Sequence, residues 1–473
     1  MPSPNDYRIL DDDLTRIGHA EGAGRIASRP LRRFGIVLAA VLLVVLLAAF
    51  GGAGLPVTAP VALGFSVAIY LGLNIGANDV ANSAGPAIGV NAMPVTLGLA
   101  GVALAQLLGA VIAGQSVTDT IARDILEIGE IDASMAPARI MTSALIGASI
   151  WLSLANWARA PVSTTHSVIG AVAGAGIAGL GADAVNWAVL AGIAGSWVAA
   201  PIISAIFAAA LLGFLRWRVQ FAPDRAMAAR VWLPVLLGLT AAVFAAYMIM
   251  LIEAVSLGYL EMAFCALLGI VAGIAARFQV EREIRRNDGE KVSLKRVLSG
   301  PLVVTAMLSG FAHGANDVAN IAGPLSVLLE STGDDPMPLC IILLGAISIS
   351  AGSFIFGRRL VRMVGTSITR LNPARAFCAA LAAGATVLAC SALGLPVSTT
   401  HCAVGGIFGV GFYREWEDRY RRKARKALPI EEINRRHLVR RSHVWTTLAA
   451  WAITVPCAGL AAAATYGIIT LAF

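Results

Sequence analysis

Charge is what this sequence has least of. Only 14% of its 473 residues are charged against 58% hydrophobic, with a mean hydropathy of +0.76. An ordinary soluble surface needs roughly a quarter of charged residues, so a water-soluble globule is excluded. Cysteine is scarce as well. Cys265, Cys340, Cys378, Cys390, Cys402 and Cys457 stand apart in apolar surroundings with no CxxC spacing, which excludes a disulfide framework or a zinc site and leaves small buried side chains. The surplus of 36 Lys and Arg over 28 acids sits in loops between apolar runs, so it marks membrane topology and not nucleic-acid binding. The first apolar run, at 34–50, lies behind a 33-residue polar head and lacks a small-residue cleavage pattern, so it is expected to be a retained span.

Long apolar runs are plentiful. Phe34 to Phe50, Ala184 to Leu215, Val231 to Ile252 and Tyr259 to Ala276 approach or exceed the ~20 residues that cross a bilayer. Backbone polar groups cannot stay unpaired in hydrocarbon, which predicts an all-α polytopic membrane protein. No cofactor is expected apart from a coupling ion.

Loop charges orient the chain. Arg414 to His443 holds eleven basic residues against five acids, and Arg277 to Arg296 holds seven against four. Both are expected in the cytoplasm, as are Arg216, Arg218, Arg225, Arg230, Arg358, Arg359 and Arg362. Arg25, Arg29, Arg32 and Arg33 place the N-terminus inside, and the threading then puts the C-terminus outside a plasma (inner) membrane.

Two motifs occur twice. GANDVANSAGP at 76–86 returns as GANDVANIAGP at 314–324, and PVSTTH at 161–166 returns unchanged at 396–401. The loop charges make the two copies run in opposite directions. That predicts two inverted repeats with broken helices, and helical hairpins carrying the PVSTTH turns. The expected division is a cytoplasmic tail (1–33), an extra span (34–50), transport repeat 1 (57–215), a connecting loop and spans (216–276), a basic cytoplasmic linker (277–297) and transport repeat 2 (298–473). Whether the hairpin arms cross the bilayer or only dip into it stays open.

An Asp at bilayer depth costs about 2.5–3.5 kcal/mol, so Asp79 and Asp317 call for a cation, a proton or a hydrated cavity. Asn78 and Asn82, and Asn316 and Asn320, stand one helical turn apart and add amide oxygens. Flanking Gly and Pro suit a helix break that frees carbonyls for a hard cation such as Na⁺. In PVSTTH, Pro at the first helical position followed by three hydroxyls is expected to form an anion cradle on a helix N-terminus. The cradles are Ser163, Thr164 and Thr165, and Ser398, Thr399 and Thr400. His166 and His401 are secondary candidates, with titration, anion contact and ordering of the turn all open to them.

These motifs resemble the inorganic phosphate transporter family, and the resemblance runs from about residue 60 to the C-terminus. It implies a symporter of inorganic phosphate with Na⁺ or H⁺, working as a homodimer within membrane lipid, with no cofactor beyond the coupling ion. By motif, Asn78, Asp79, Asn316 and Asp317 serve the coupling cation and phosphate, joined by Asn82 and Asn320, while the six hydroxyls hold phosphate together with Asp79 and Asp317. Many relatives carry Glu or Gln after the first GANDVAN and Glu before the second PVSTTH; here Gln106 and Ala380 stand there, which leaves coupling stoichiometry open. Two other readings remain at this level. A sulfate transporter would use the same cradle, and an intramembrane hydrolase would use Ser163, His166 and Asp79 as a triad, although a second copy of every group adds nothing to catalysis.

Overall fold

The computed structural model describes residues 59–127, 136–158, 162–253, 258–286, 294–330, 338–358, 361, 372–422 and 441–472; the polar head and the run at 34–50 lie outside the described residues. The described residues are helical with no strand, apart from a lone bridge between Leu126 and Val185. Eight of their helices are long and apolar enough to cross a membrane. Helices satisfy their own backbone groups, as hydrocarbon requires.

The first half contains α1 (Ala59–Gly89), α2 (Val95–Ala113), α3 (Ala136–Ala158), α4 (Thr164–Leu180) and α5 (Trp187–Leu215), with short turns at Gln115–Asp119 and Thr120–Asp124. A connecting pair follows, α6 (Arg225–Glu253) and α7 (Tyr259–Arg286). The second half contains α8 (Ser299–Asp317), α9 (Ala319–Glu330), α10 (Pro338–Phe356), α11 (Pro373–Ala392), α12 (Thr399–Arg422) and α13 (Arg441–Ala472). Because α7 continues to Arg286, the segment expected to be a linker from residue 277 begins as helix.

Local chemistry sets several boundaries. Asn186 caps α5 by accepting from the Val189 N–H, and Asn372 caps α11 ahead of Pro373, which cannot donate and suits a first turn. Gly394 closes the approach to the second PVSTTH with φ 67°, a left-handed conformation natural to glycine.

The halves exchange partners. The first GANDVAN helix, α1, packs on α10, while α8 packs on α2; likewise α4 packs on α13 and α12 on α5. The approach is close enough to require glycine. A Cβ at Gly76 would collide with the carbonyl oxygen of Ile349, and one at Gly314 with that of Gln106. Gly109 meets the Phe311 backbone as Gly352 meets that of Leu73, so matching positions of the two copies make matching contacts across the halves. Small residues let membrane helices approach this closely, where dispersion and interhelical hydrogen bonds act without a hydrophobic drive. By contrast α6 and α7 pack chiefly on each other and expose Leu239, Val243, Ile270 and Phe278, apolar surface suited to lipid.

Candidate ion and anion site

The first GANDVAN lies within the continuous α1, and the second spans the junction of α8 and α9 at Val318, which keeps helical angles (φ −58°, ψ −33°) and donates its N–H to the Gly314 carbonyl at 3.2 Å. The backbone therefore stays helical through both motifs, and the expected break is found in neither. Both aspartates are nonetheless buried, with Asp79 at 0% exposure and Asp317 at 1%. A lone carboxylate there is costly, so its partners decide what the site is.

Asp79 is held by hydroxyls from both halves. Thr164 donates to its Oδ2 at 3.1 Å and Thr400 to its Oδ1 at 3.1 Å. The amide of Asn78 donates to the same Oδ1 at 3.1 Å, and that of Asn82 lies 3.3 Å from it and 2.9 Å from the Thr400 hydroxyl. The two PVSTTH turns and the first GANDVAN thus meet at one carboxylate. Asn78 and Asn82 are partly exposed, so this side of the site has access to its surroundings.

Asp317 has fewer partners. The Asn316 amide donates to its Oδ1 at 3.0 Å and the Thr399 hydroxyl stands beside the carboxyl, although no donor lies within hydrogen-bond distance of Oδ2. Asn320, fully buried, lacks partners at both its amide oxygen and nitrogen. Asn316 itself is clamped to the second PVSTTH turn, donating to the Val397 carbonyl at 2.7 Å and accepting from the Val397 N–H at 3.2 Å. Asp317 Oδ2 and the Asn320 amide are thus buried polar atoms without partners, which is costly in an apolar interior.

The PVSTTH turns depart from expectation in one respect. Proline is not the first helical residue. Ser163 and Ser398 are the N-caps, accepting from the His166 and His401 N–H groups at 3.2 Å, and the helices start at Thr164 and Thr399. The reason is that an N-cap needs extended backbone and a short side-chain acceptor, which Ser supplies and Pro does not. The serine oxygens are therefore engaged in capping. Thr165 donates to the Val397 carbonyl at 3.2 Å, which leaves Thr164 and Thr400 as the hydroxyls aimed at Asp79.

His166 and His401 face each other instead of the aspartates. Their ring centroids lie 4.5 Å apart; His166 lies on Trp197 at 3.8 Å and His401 on Trp451 at 3.4 Å. The four rings stack together where α4, α5, α12 and α13 meet, with Trp451 partly exposed. The Trp197 indole N–H donates to the Pro396 carbonyl at 3.0 Å, which ties these rings to the second turn. Trp197 and Trp451 were not singled out from sequence, although each precedes a helix-internal proline, Pro201 and Pro456, in its half. Gln106 is 1% exposed; its Oε1 accepts from Ser353 at 2.6 Å, and Ser353 lies 3.0 Å from the Gly76 carbonyl. A serine shared between Gln106 and the first GANDVAN has no motif to announce it. Ser83, the one residue that differs between the GANDVAN copies, lies 2.6 Å from Nδ1 of His313, a buried link from the first motif helix to the second.

The phosphate transporter family matches residues 75–462 of this chain, which spans both motif pairs. The chain belongs to that family. A putative phosphate permease of Helicobacter pylori (strain J99) is 37% identical over 358 residues, covering 73% of this chain and 67% of that protein. A putative phosphate permease of Pyrococcus abyssi is 33% identical over 408 residues, covering 84% and 94%. A chloroplastic inorganic phosphate transporter of Arabidopsis thaliana is 32% identical over 378 residues, covering 73% and 64%. Among solved structures, one described as the sodium-dependent phosphate transporter aligns with a TM-score of 0.75 at 30% identity, covering 88% of this chain and all of that one. The family is one of membrane transporters and not of enzymes, and this chain is a multi-pass membrane protein. Geometry also removes the hydrolase reading: Ser163 Oγ accepts from the His166 backbone, and the imidazole turns away to Trp197.

Proposed function

We propose that this protein is a secondary active symporter of inorganic phosphate, driven by Na⁺ and working by alternating access of two inverted halves. The observation that carries this reading is the convergence of Thr164 and Thr400, one from each half, on the buried carboxylate of Asp79. The family, the names of its members and a neighbour described as sodium-dependent support phosphate as cargo and Na⁺ as the coupling ion.

The mechanism follows from electrostatics. Two buried carboxylates repel an incoming phosphate. A cation seated at Asp317 and Asn320, and another at Asp79 with Asn78 and Asn82, offsets that repulsion. Thr164 and Thr400 then turn their hydroxyls from Asp79 to the phosphate, beside the free N–H groups and positive ends of α4 and α12. Cation and anion binding become mutually dependent. Rocking of one half against the other, about the reciprocal contacts of Gly76 and Gly314, exposes the loaded site to each side in turn. The protein is read as a homodimer with its N-terminus in the cytoplasm and its C-terminus outside.

Radiolabelled phosphate uptake into proteoliposomes, with Na⁺ and pH gradients imposed separately, tests the reading. Accumulation above equilibrium under an inward Na⁺ gradient supports it. Accumulation driven by the pH gradient alone assigns coupling to H⁺, and sulfate uptake in place of phosphate contradicts the substrate.

A further inference from the structure

The two GANDVAN copies differ at a single position up to their closing proline, and the residue before each copy differs with it. Ser83 and Ile321 stand four residues beyond Asp79 and Asp317, one helical turn on. His313 and Ile75 stand just before Gly314 and Gly76. Ser83 on α1 meets His313 on α8, its Oγ 2.6 Å from the ring Nδ1. Exchanging the halves turns this pair into Ile321 and Ile75, both fully buried in one apolar cluster. One half thus carries a hydrogen-bonded pair where the other carries two isoleucines.

Packing alone does not call for the polar pair. Isoleucines fill the equivalent positions, and exchanging both partners of a buried hydrogen bond for apolar groups is close to neutral in stability. What the pair adds is a hold on Asp79. The Asp79 backbone stands beside the His313 ring, and Ser83 lies one turn along the same face of α1. His313 in turn stands on a fixed platform. Its neighbour Gly314 leaves no room for a Cβ against the Gln106 carbonyl, and Gln106 is bonded through Ser353 to the Gly76 carbonyl. Helix α8 thereby fixes the turn of α1 that presents the carboxylate. A ligand group ordered in advance binds a small ion with less loss of entropy.

We propose that His313 is a positioning residue for the Asp79 cation site, acting from the second half through Ser83 and the Asp79 backbone to tighten Na⁺ binding there. The Asp317 site lacks this device, because Ile321 and Ile75 occupy the matching positions. The inference rests on the reading of Asp79 as a Na⁺ ligand.

Radiolabelled Na⁺ binding to the full chain carrying Asp317→Asn, which leaves Asp79 as the acidic cation site, tests it. Adding Ser83→Ala together with His313→Leu removes both partners. That change is expected to raise the Na⁺ dissociation constant about tenfold, the scale of one lost hydrogen bond, at a melting temperature close to that of the parent. His313→Asn, whose amide supplies a donor near the position of Nδ1, is expected to recover most of the affinity. Equal dissociation constants with and without the pair overturn the inference and leave the transport reading intact. A fall in melting temperature alongside the weaker binding, with no recovery in His313→Asn, assigns the pair to structure and overturns it as well. Should the double variant fail to fold, Ser83→Ala alone decides: weaker Na⁺ binding at unchanged stability supports the link, and unchanged binding contradicts it. An Asp317→Asn parent that binds no Na⁺ refutes Asp79 as a cation ligand, and the inference falls with that reading.

Discussion

The Thr400 hydroxyl donates to Oδ1 of Asp79 at 3.1 Å, joining residues 321 positions apart. This one bond links the PVSTTH turn of the second half to the GANDVAN helix of the first. Removing it tests whether the halves cooperate at one site. Thr400→Val keeps the shape and loses the donor, and a hydrogen bond to a charged group is worth about 2 kcal/mol, so phosphate affinity is expected to fall roughly thirtyfold. Radiolabelled phosphate binding to the purified variant measures it.

Ser398→Ala acts differently. Its oxygen caps α12 through the His401 N–H, so the variant is expected to lose about 1 kcal/mol of stability with little change in phosphate affinity. Thermal denaturation beside the same binding assay separates the two effects. An affinity loss as large as that of Thr400→Val would place Ser398 on the anion instead.

Asp317 supplies a third test, since its Oδ2 has no partner. Na⁺ is expected to raise the melting temperature of the wild type, the linkage reaching about 2.7 kcal/mol when Na⁺ is at a hundred times its dissociation constant. Asp317→Asn is expected to weaken that dependence, leaving the part due to the cation at Asp79, while melting no lower than the wild type without Na⁺, because it removes a buried carboxylate with an unpartnered oxygen. Differential scanning fluorimetry across Na⁺ concentrations, with choline holding ionic strength constant, reads both.

Gly76→Ala and Gly314→Ala probe the exchange of helices between halves. Each added methyl meets a backbone carbonyl, of Ile349 and of Gln106, which cannot move aside as a side chain can. Both variants are expected to lose most of the folded protein, a penalty in the range of about 1–3 kcal/mol or more for overpacking. Gly192→Ala, with nothing within 4 Å of the added atom, is expected to fold like the wild type. Size-exclusion yields after membrane extraction compare the three.

The fold class and the core of the site were legible because hydrocarbon allows few solutions. Duplicated Asp79 and Asp317 in apolar sequence, and hydroxyls behind duplicated prolines, have almost no structural use there unless they meet. Less was legible where three-dimensional contacts decide. Periodicity cannot show that the second motif spans the junction of α8 and α9 at Val318 while its counterpart lies within one helix, since both copies carry the same glycines and a following proline. The capping role of Ser163 and Ser398 depends on backbone angles one residue from where proline suggested. Ser353 joins the site through partners in the other half and Trp451 through the His401 ring, so no local pattern marks them. Ala380 is buried, and its carbonyl accepts from the Ser309 hydroxyl at 3.1 Å.

The account rests on cation and phosphate sharing one site, and reciprocity of binding tests that most directly. Radiolabelled phosphate affinity measured across Na⁺ concentrations, and radiolabelled Na⁺ affinity measured with and without phosphate, should change by the same factor in the wild type. Asp79→Asn should weaken both dependences by the same factor. Phosphate binding with an affinity indifferent to Na⁺, in a wild-type protein that still binds Na⁺, would contradict the account.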